Sequence, residues 1–123
     1  MRKRILQPAS KALPSIQAAF EQFQKQNQLK NLSQGTIDFY SSKARHFFNF
    51  LENTDQPIDF ITEETVVDYI FHLKEKQLHD TTINTYLRMV RAFLYWCMDK
   101  GYLERFSIQL IRADNPIKET YTS

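Results

Sequence analysis

Apolar residues recur along this chain at steps of three and four, the spacing that places side chains on one face of an α-helix. Four such stretches follow one another and predict helices over about residues 15–29, 34–53, 63–77 and 80–101. The side chains predicted to face the core are Ile16, Ala19, Phe20 and Phe23, then Ile37, Tyr40, Ala44, Phe47, Phe48 and Leu51, then Val66, Val67, Ile70, Phe71 and Leu73, and last Ile83, Leu87, Val90, Leu94 and Cys97.

Residues that favour helix ends stand at the predicted boundaries. Ser33, Thr62 and Asp80 each carry a side-chain oxygen that can accept a hydrogen bond from a free backbone N–H of the first helical turn. Gly101 stands where the end of the fourth helix favours a residue in the left-handed conformation. The stretch Asn-Thr-Asp-Gln-Pro that follows the second helix has the composition of a turn.

The chain outside these helices has a different character. Residues 1–12 carry four basic side chains and no acidic one, which predicts a basic tail. After Gly101, apolar Phe106, Ile108 and Leu110 alternate with polar neighbours, which suits a short strand or an extended segment. We therefore expect an all-α four-helix domain over residues 13–103, followed by a linker over residues 104–123.

Composition narrows the class of protein. The chain has 123 residues, of which 42% are hydrophobic and 24% charged, as in ordinary globular domains. Its longest apolar run is Ala92–Met98, too short to span a bilayer, and no apolar stretch follows the basic start as a secretory signal would require. The single cysteine cannot form an internal disulfide. These features favour a soluble cytoplasmic protein without a membrane partner.

Charge is segregated along the chain. Residues 1–50 carry a net charge of +6, residues 51–80 carry −6, and residues 81–123 carry +2. Such segregation is typical of a face that binds a polyanion, backed by an acidic outer face, although an uneven distribution can also arise by chance.

Candidate catalytic and metal-binding chemistry is sparse. The three histidines lie in three different segments, and none forms a pair at the spacing that metal sites favour. Cys97 falls on the apolar seam of the fourth helix and is expected to be a small core residue. Glu63 and Glu64 suit the start of a helix better than acid–base catalysis. We expect no metal site, no cofactor and no active site.

Polar and basic side chains on two predicted helices point instead to nucleic acid. A helix that contacts DNA needs hydrogen-bond donors that reach phosphates and base edges from one face. The fourth helix presents Thr81, Asn84, Thr85, Arg88, Arg91 and Tyr95 on the side opposite its apolar seam, and the second helix adds Ser33, Gln34, Thr36, Lys43 and Arg45.

The order of these residues resembles the core-binding domain of tyrosine recombinases, the phage integrases. The similar stretches are Leu32-Ser33-x-x-Thr36-x-x-x-Tyr40-x-x-x-Ala44-x-x-Phe47-Phe48, then Ile61-Thr62-x-Glu64-x-Val66, then Thr81-Thr82-Ile83-Asn84-x-Tyr86-Leu87-Arg88-x-Val90-Arg91, and last Lys100-Gly101-Tyr102-Leu103. The resemblance implies an all-α, SAM-like orthogonal bundle of four helices that clamps duplex DNA together with a downstream catalytic domain. Other recombinase protomers on the same DNA would be further partners.

The resemblance also implies roles for individual residues. Ser33, Thr36 and Lys43 would lie near phosphates, and the residues facing the major groove would be Thr81, Thr82, Asn84, Thr85, Arg88 and Arg91. Tyr40 could contact DNA or pack in the core, and we favour packing. The acidic third helix would point away from DNA.

The catalytic residues of that family are not expected in this chain. The family uses a tyrosine nucleophile together with arginines, a lysine and a His-x-x-Arg motif, and no histidine here is followed by arginine three positions later. Tyr121 falls in the stretch that resembles the link into the catalytic domain. We therefore expect a non-enzymatic domain whose longer parent would cleave and rejoin DNA.

Two other functions fit the same pattern less well. A helical protein–protein module is the main alternative, with Phe39, Phe50 and Tyr95 as exposed aromatic residues. A helix-turn-helix regulator is disfavoured because residues 80–101 are long for a recognition helix and no tight turn pairs them with the third helix.

Overall fold

The computed structural model describes residues 13–112, and within this range all regular structure is helical. Its elements are α1 (Ile16–Leu29), α2 (Gln34–Leu51), a short 3₁₀ turn (Ile58–Phe60), α3 (Glu63–Glu75) and α4 (Asp80–Asp99). The predicted all-α class and the four helices are confirmed. The basic tail over residues 1–12, residues 113–123 of the predicted linker and Tyr121 lie outside the described residues.

Side-chain caps begin three of the four helices. The hydroxyl of Ser15 accepts from the N–H of Ala18, and that of Ser33 accepts from the N–H of Thr36, both over 3.1 Å. Thr62 and Thr65 form a reciprocal capping box at the start of α3. Because such bonds are local, the sequence predicts the caps at Ser33 and Thr62 correctly.

The start of α4 differs from the prediction by one residue. His79 is the N-cap, without a side-chain hydrogen bond, and Asp80 is the first helical residue. The carboxylate of Asp80 lies 3.6 Å from the ammonium group of Lys74. Asp80 therefore acts as an acidic first-turn residue, which the helix dipole favours, and not as the cap.

The first turn of α1 is tied to the loop between α2 and α3. The N–H groups of Ile16 and Gln17 donate to the carbonyls of Gln56 and Thr54 over 2.9 and 3.1 Å, and the N–H of Ile58 donates to the carbonyl of Pro14 over 2.9 Å. Helix N-terminal amides otherwise lack backbone partners, so this loop completes the start of α1. The side chains of Ile16 and Ile58 are both fully buried there.

Helix α4 is the centre of the bundle and packs against α1, α2 and α3. Its predicted apolar seam is fully buried, and Met89, which the prediction omitted, is buried as well. Phe93 links α4 to α1, because its ring centroid lies 5.3 Å from that of Phe20 and 5.5 Å from that of Phe23. After α4, Gly101 adopts a φ of 80° as predicted for a helix stop.

The prediction for the core-facing side of α3 is correct in part, since Val66 and Leu73 are buried as expected. Val67 and Phe71, which the sequence assigns to the core, are 42% and 61% exposed, and Tyr69 is fully buried instead. A buried tyrosine needs a partner for its hydroxyl. Nδ1 of His46 on α2 lies 2.8 Å from that oxygen. This partner is remote in sequence, so the local pattern gave no sign of it.

The stretch after α4 returns to the bundle. Within residues 104–112, here called the C-terminal segment, the structure has no strand. Ile108 is only 3% exposed and joins the core, and Phe106, Leu110 and Ile111 pack against it. The predicted linker therefore lies on the domain over this part of its length, because Ile108 is buried there and Phe106 and Leu110 are half-buried.

Candidate nucleic-acid interface

A surface cleft joins the start of α2 to the middle of α4. It is shallow and open to solvent, has a volume of about 390 Å³, and is lined by Ser33, Gly35, Thr36, Phe39, Tyr40 and Arg88. Three residues that the sequence predicts to contact DNA, Ser33, Thr36 and Arg88, thus meet at one place although α4 lies far along the chain from α2.

The first turn of α2 gives this cleft the properties of an anion site. The Ser33 hydroxyl caps the helix and lies 2.9 Å from that of Thr36. Among the described residues, the N–H groups of Gln34 and Gly35 have no hydrogen-bond partner. Gly35 has open space on its side-chain face, the nearest atom being 3.9 Å from the position of a Cβ. A phosphate can therefore approach the backbone closely beside the exposed guanidinium of Arg88.

Tyr40 lies on the border between this cleft and the core. Its ring is half-buried and its centroid lies 5.3 Å from that of Phe23 on α1. It therefore packs in the bundle, as favoured from the sequence, while one edge lines the cleft.

Lys43 lies between α2 and α4. Its ammonium group is 4.7 Å from the ring centroid of Tyr86 and 5.8 Å from that of Phe39. Such cation–π contacts hold the charge in place on a half-buried side chain. Lys43 thus both links the two helices and adds positive charge to the predicted DNA-contacting side of α2.

The predicted DNA-contacting residues of α4 are not all exposed to the same degree. Thr81, Thr82 and Arg88 are exposed, and Thr85 and Arg91 are half-buried. The hydroxyl of Thr85 donates to the carbonyl of Thr81 over 3.0 Å, which leaves its lone pairs free to accept.

Asn84 requires a correction, because the sequence places it in the groove-facing set and the structure buries it. It is only 8% exposed. Its Nδ2 donates to the carbonyl of Ile111 and its Oδ1 accepts from the N–H of Ile111, both over 2.7 Å. The helical pattern places Asn84 on the polar face correctly, but the C-terminal segment covers that side of the helix. Asn84 is therefore not available to a DNA base in this structure.

The protein–protein alternative also changes in detail. Of its three aromatic residues only Tyr95 is exposed, at 37%, while Phe39 and Phe50 are half-buried. Phe50 packs against Tyr69 and His72, with ring centroids 5.1 and 4.9 Å away. The predicted aromatic patch is therefore not one exposed surface.

Comparison with known proteins decides the family. The family model for the phage integrase SAM-like domain matches residues 15–112. This chain belongs to that family. The SAM-like domain is the non-catalytic N-terminal part of tyrosine recombinases, whose catalytic residues lie in a C-terminal domain. The family resemblance read from the sequence, and the SAM-like fold it implies, are thus confirmed.

One relative supports the same assignment. The SAM-like domain is 28% identical over 92 residues to the protein named Putative tyrosine recombinase TTE1313 of Caldanaerobacter subterraneus subsp. tengcongensis. The alignment covers 73% of this chain and 30% of that relative, so the chain spans less than a third of the relative's length. No solved structure matches the chain significantly.

Two histidines of the SAM-like domain come together although the sequence places them on separate segments. The rings of His46 on α2 and His72 on α3 have centroids 6.3 Å apart. Burial lowers the pKa of His46, and repulsion from His72, Lys76 and Lys43 lowers it further. Within residues 13–112, His, Cys, Asp and Glu side chains nowhere group in threes that could hold a metal ion.

The remaining features of the SAM-like domain concern its thiol and its hydropathy. Cys97 is fully buried, as predicted, and burial raises the pKa of its thiol to about 12. No helix of the described chain combines the length and the apolar character needed to cross a membrane.

Proposed function

We propose that this domain is a DNA-binding clamp of a site-specific tyrosine recombinase, acting in DNA integration or recombination, and that it contacts duplex DNA through the start of α2 and the exposed side of α4. The observation that carries the proposal is the cleft in which the first turn of α2 meets Arg88. The unpaired N–H groups of the first turn, a glycine that leaves room for a phosphate and a nearby arginine are the groups that would bind a phosphate there.

Further charges extend this site along both helices. Lys43 follows the cleft on α2, and Arg91 lies three residues after Arg88 on α4, close enough to reach the same stretch of groove. Thr81, Thr82 and Thr85 supply hydroxyls that can bond to phosphates or base edges. No side chain of the acidic α3 lines the cleft.

The partners and location follow from this role. Duplex DNA would be held between this domain and a downstream catalytic domain of the same parent protein, with other recombinase protomers bound nearby. The chemistry of strand cleavage would belong to that catalytic domain, so this chain would bind DNA in the cytoplasm without cleaving it.

Salt dependence of duplex binding tests the proposal. If about four to six phosphates are neutralised, the logarithm of the binding constant should fall with that of the salt concentration at a slope of roughly −4 to −5. A single domain lacks the avidity of a whole clamp, so a Kd of about 10⁻⁴–10⁻⁶ M is expected at physiological salt. Fluorescence anisotropy of a labelled duplex across a salt series measures both quantities.

Variants with matched charge changes locate the interface. Arg88→Ala and Arg91→Ala should each make the salt slope of the binding constant shallower by about one, since each removes one positively charged side chain that contacts the DNA. Arg105→Ala removes the same charge from a residue that pairs with Asp99 over 2.7 Å, and should leave binding unchanged. If both α4 variants bind as tightly as the parent, the proposed interface is wrong.

The second candidate remains a protein–protein module, and the surface that favours it is on α3. Val67 and Phe71 lie four residues apart and are both exposed, so they form an apolar strip on that helix. Self-association that does not change with salt, and that Phe71→Ser abolishes, would support this function over DNA binding.

A further inference from the structure

Two side chains of α4 hold the C-terminal segment by its backbone. The amide of Asn84 pairs with both the N–H and the C=O of Ile111, over 2.7 Å each. The hydroxyl of Tyr95 accepts from the N–H of Ile108 over 3.0 Å and reaches the carbonyl of the same residue at 3.5 Å. The N–H and the C=O of both Ile108 and Ile111 thus have side-chain hydrogen-bond partners, in the way that a neighbouring strand would provide backbone ones.

These contacts set the direction of the segment. Tyr95 lies near the end of α4 and Asn84 near its start, eleven residues earlier, which corresponds to about 16 Å along the helix axis. The segment meets Tyr95 first and Asn84 three residues later, so it runs back toward the start of α4. The buried side chain of Ile108 anchors the segment at the first of these two contacts.

The path of the segment therefore places Arg112 near the start of α4. Arg112 directly follows Ile111, is exposed, and so emerges beside the first turns of α4, which carry Thr81, Thr85 and Arg88. An arginine on a free chain would lose both backbone and side-chain entropy on binding, whereas one that directly follows a held residue has already lost much of the backbone part.

We propose that Arg112 is a further DNA-contacting residue, and that Asn84 is the positioning residue that places it at the interface. This inference rests on the proposed DNA-binding function, and it names a cation that the α2 and α4 pattern does not include. It also gives Asn84 a part in binding although its side chain touches no DNA.

A double-mutant cycle measured by fluorescence anisotropy on a random-sequence duplex tests the inference. Arg112→Ala should weaken binding several-fold at low salt and make the salt slope shallower by about 0.9, the value for one phosphate contact. Asn84→Ala should change the slope by a similar amount although it removes no charge. The affinity of the double variant should equal that of whichever single variant binds less tightly, because both changes remove the same contact between Arg112 and DNA.

The control is the other exposed arginine of the segment. Arg105 lies at the far end of α4, where its guanidinium pairs with Asp99, so Arg105→Ala should leave the affinity and the slope unchanged. Amide hydrogen exchange at Ile111 measures directly whether the Asn84–Ile111 hydrogen bonds are formed. The exchange should accelerate in Asn84→Ala while the amides inside α4 keep their protection. Should Asn84→Ala fail to fold, Tyr95→Phe takes its place in the cycle, since it frees Ile108 while keeping the ring.

The outcomes separate this inference from the proposed function. If Arg88→Ala weakens binding but Arg112→Ala does not, the inference is wrong and the DNA interface stands. If the losses from Asn84→Ala and Arg112→Ala add in the double variant, Asn84 does not act through Arg112 and its positioning role is wrong. If the parent chain binds no duplex at all, the proposed function itself fails.

Discussion

His46 and Tyr69 share a hydrogen bond of 2.8 Å between Nδ1 and the phenolic oxygen, and it joins α2 to α3. Burial raises the pKa of Tyr69 far above its usual value, so the hydroxyl keeps its proton and donates. Nδ1 must then accept, which requires the neutral imidazole with its proton on Nε2. Protonated His46 would lose this acceptor and would carry its charge next to Lys43, Lys76 and His72.

Stability should therefore fall as the pH is lowered below about 6.5, the ordinary pKa of histidine. The pKa of His46 is lower in the folded protein than in the unfolded chain, so the unfolded chain binds more protons between the two values. The free energy of unfolding then rises with pH across that window and levels off above it. Urea unfolding at pH 5 and pH 8 measures the difference.

His46→Gln should remove much of that pH dependence, because glutamine cannot be protonated. His79→Gln is the matched control, since His79 is exposed at the start of α4 and forms no side-chain cap bond. An equal effect of the two substitutions would contradict the assignment to His46.

Tyr69→Phe should destabilise the fold by about 1–2 kcal/mol, because it leaves Nδ1 of His46 without its donor while keeping the ring in place. Tyr69→Ala should cost more, about 3–5 kcal/mol, since it also leaves a cavity beside Phe47 and Phe50. Chemical denaturation of the two variants gives both values. A similar cost for both would mean that the hydrogen bond, and not the packing of the ring, dominates.

The thiol of Cys97 should not react with a water-soluble disulfide reagent at pH 8 while the protein is folded. Burial keeps its pKa near 12 and excludes the reagent, and only the thiolate is nucleophilic. One thiol per chain should react once guanidinium chloride unfolds the protein. Rapid reaction without denaturant would show that α4 opens locally.

The two glycines should respond in opposite ways to alanine. Gly101 has a φ of 80°, so Gly101→Ala should destabilise the fold by about 1 kcal/mol through strain alone. Gly35 lies in α2 with open space around it, so Gly35→Ala should leave the stability unchanged or raise it slightly. Thermal unfolding tests both expectations.

Gly35→Ala has a second expected effect, on binding. A methyl group in the cleft would hold a phosphate away from the N–H groups of the first turn, so duplex binding should weaken although the protein is no less stable. Unchanged affinity in this variant would mean that the phosphate does not approach the α2 backbone.

The sequence predicts what depends on neighbours along the chain. The four helices, the caps at Ser33 and Thr62 and the buried seam of α4 follow from local spacing and local hydrogen bonds. Asn84 fails as a predicted contact because Ile111, 27 residues later, covers it. The pattern could not reveal this, since an asparagine on a polar face looks the same whether solvent or a returning segment lies over it.

The same limit explains the errors on α3 and the partial view of the site. Tyr69 stands at the helical spacing of a core residue, three after Val66 and four before Leu73, but its burial also needs a partner for the hydroxyl, and that partner, His46, lies 23 residues earlier. Arg88 could be assigned to an exposed face, but its meeting with the first turn of α2 depends on how the two helices pack. One feature of the sequence was consistent with this proximity, namely the net positive charge of residues 1–50 and 81–123, which carry α2 and most of α4.

The bonds between the start of α1 and the loop after α2 limit how this domain can vary in length. Thr54 and Gln56 provide carbonyls to α1 at fixed positions, and Ile58 returns a bond to Pro14. An extra residue in this loop would move those carbonyls away from the amides they serve and displace buried Ile58. Surface loops usually tolerate insertions, but this one should not, so length differences between relatives and engineered fusions should avoid residues 54–58.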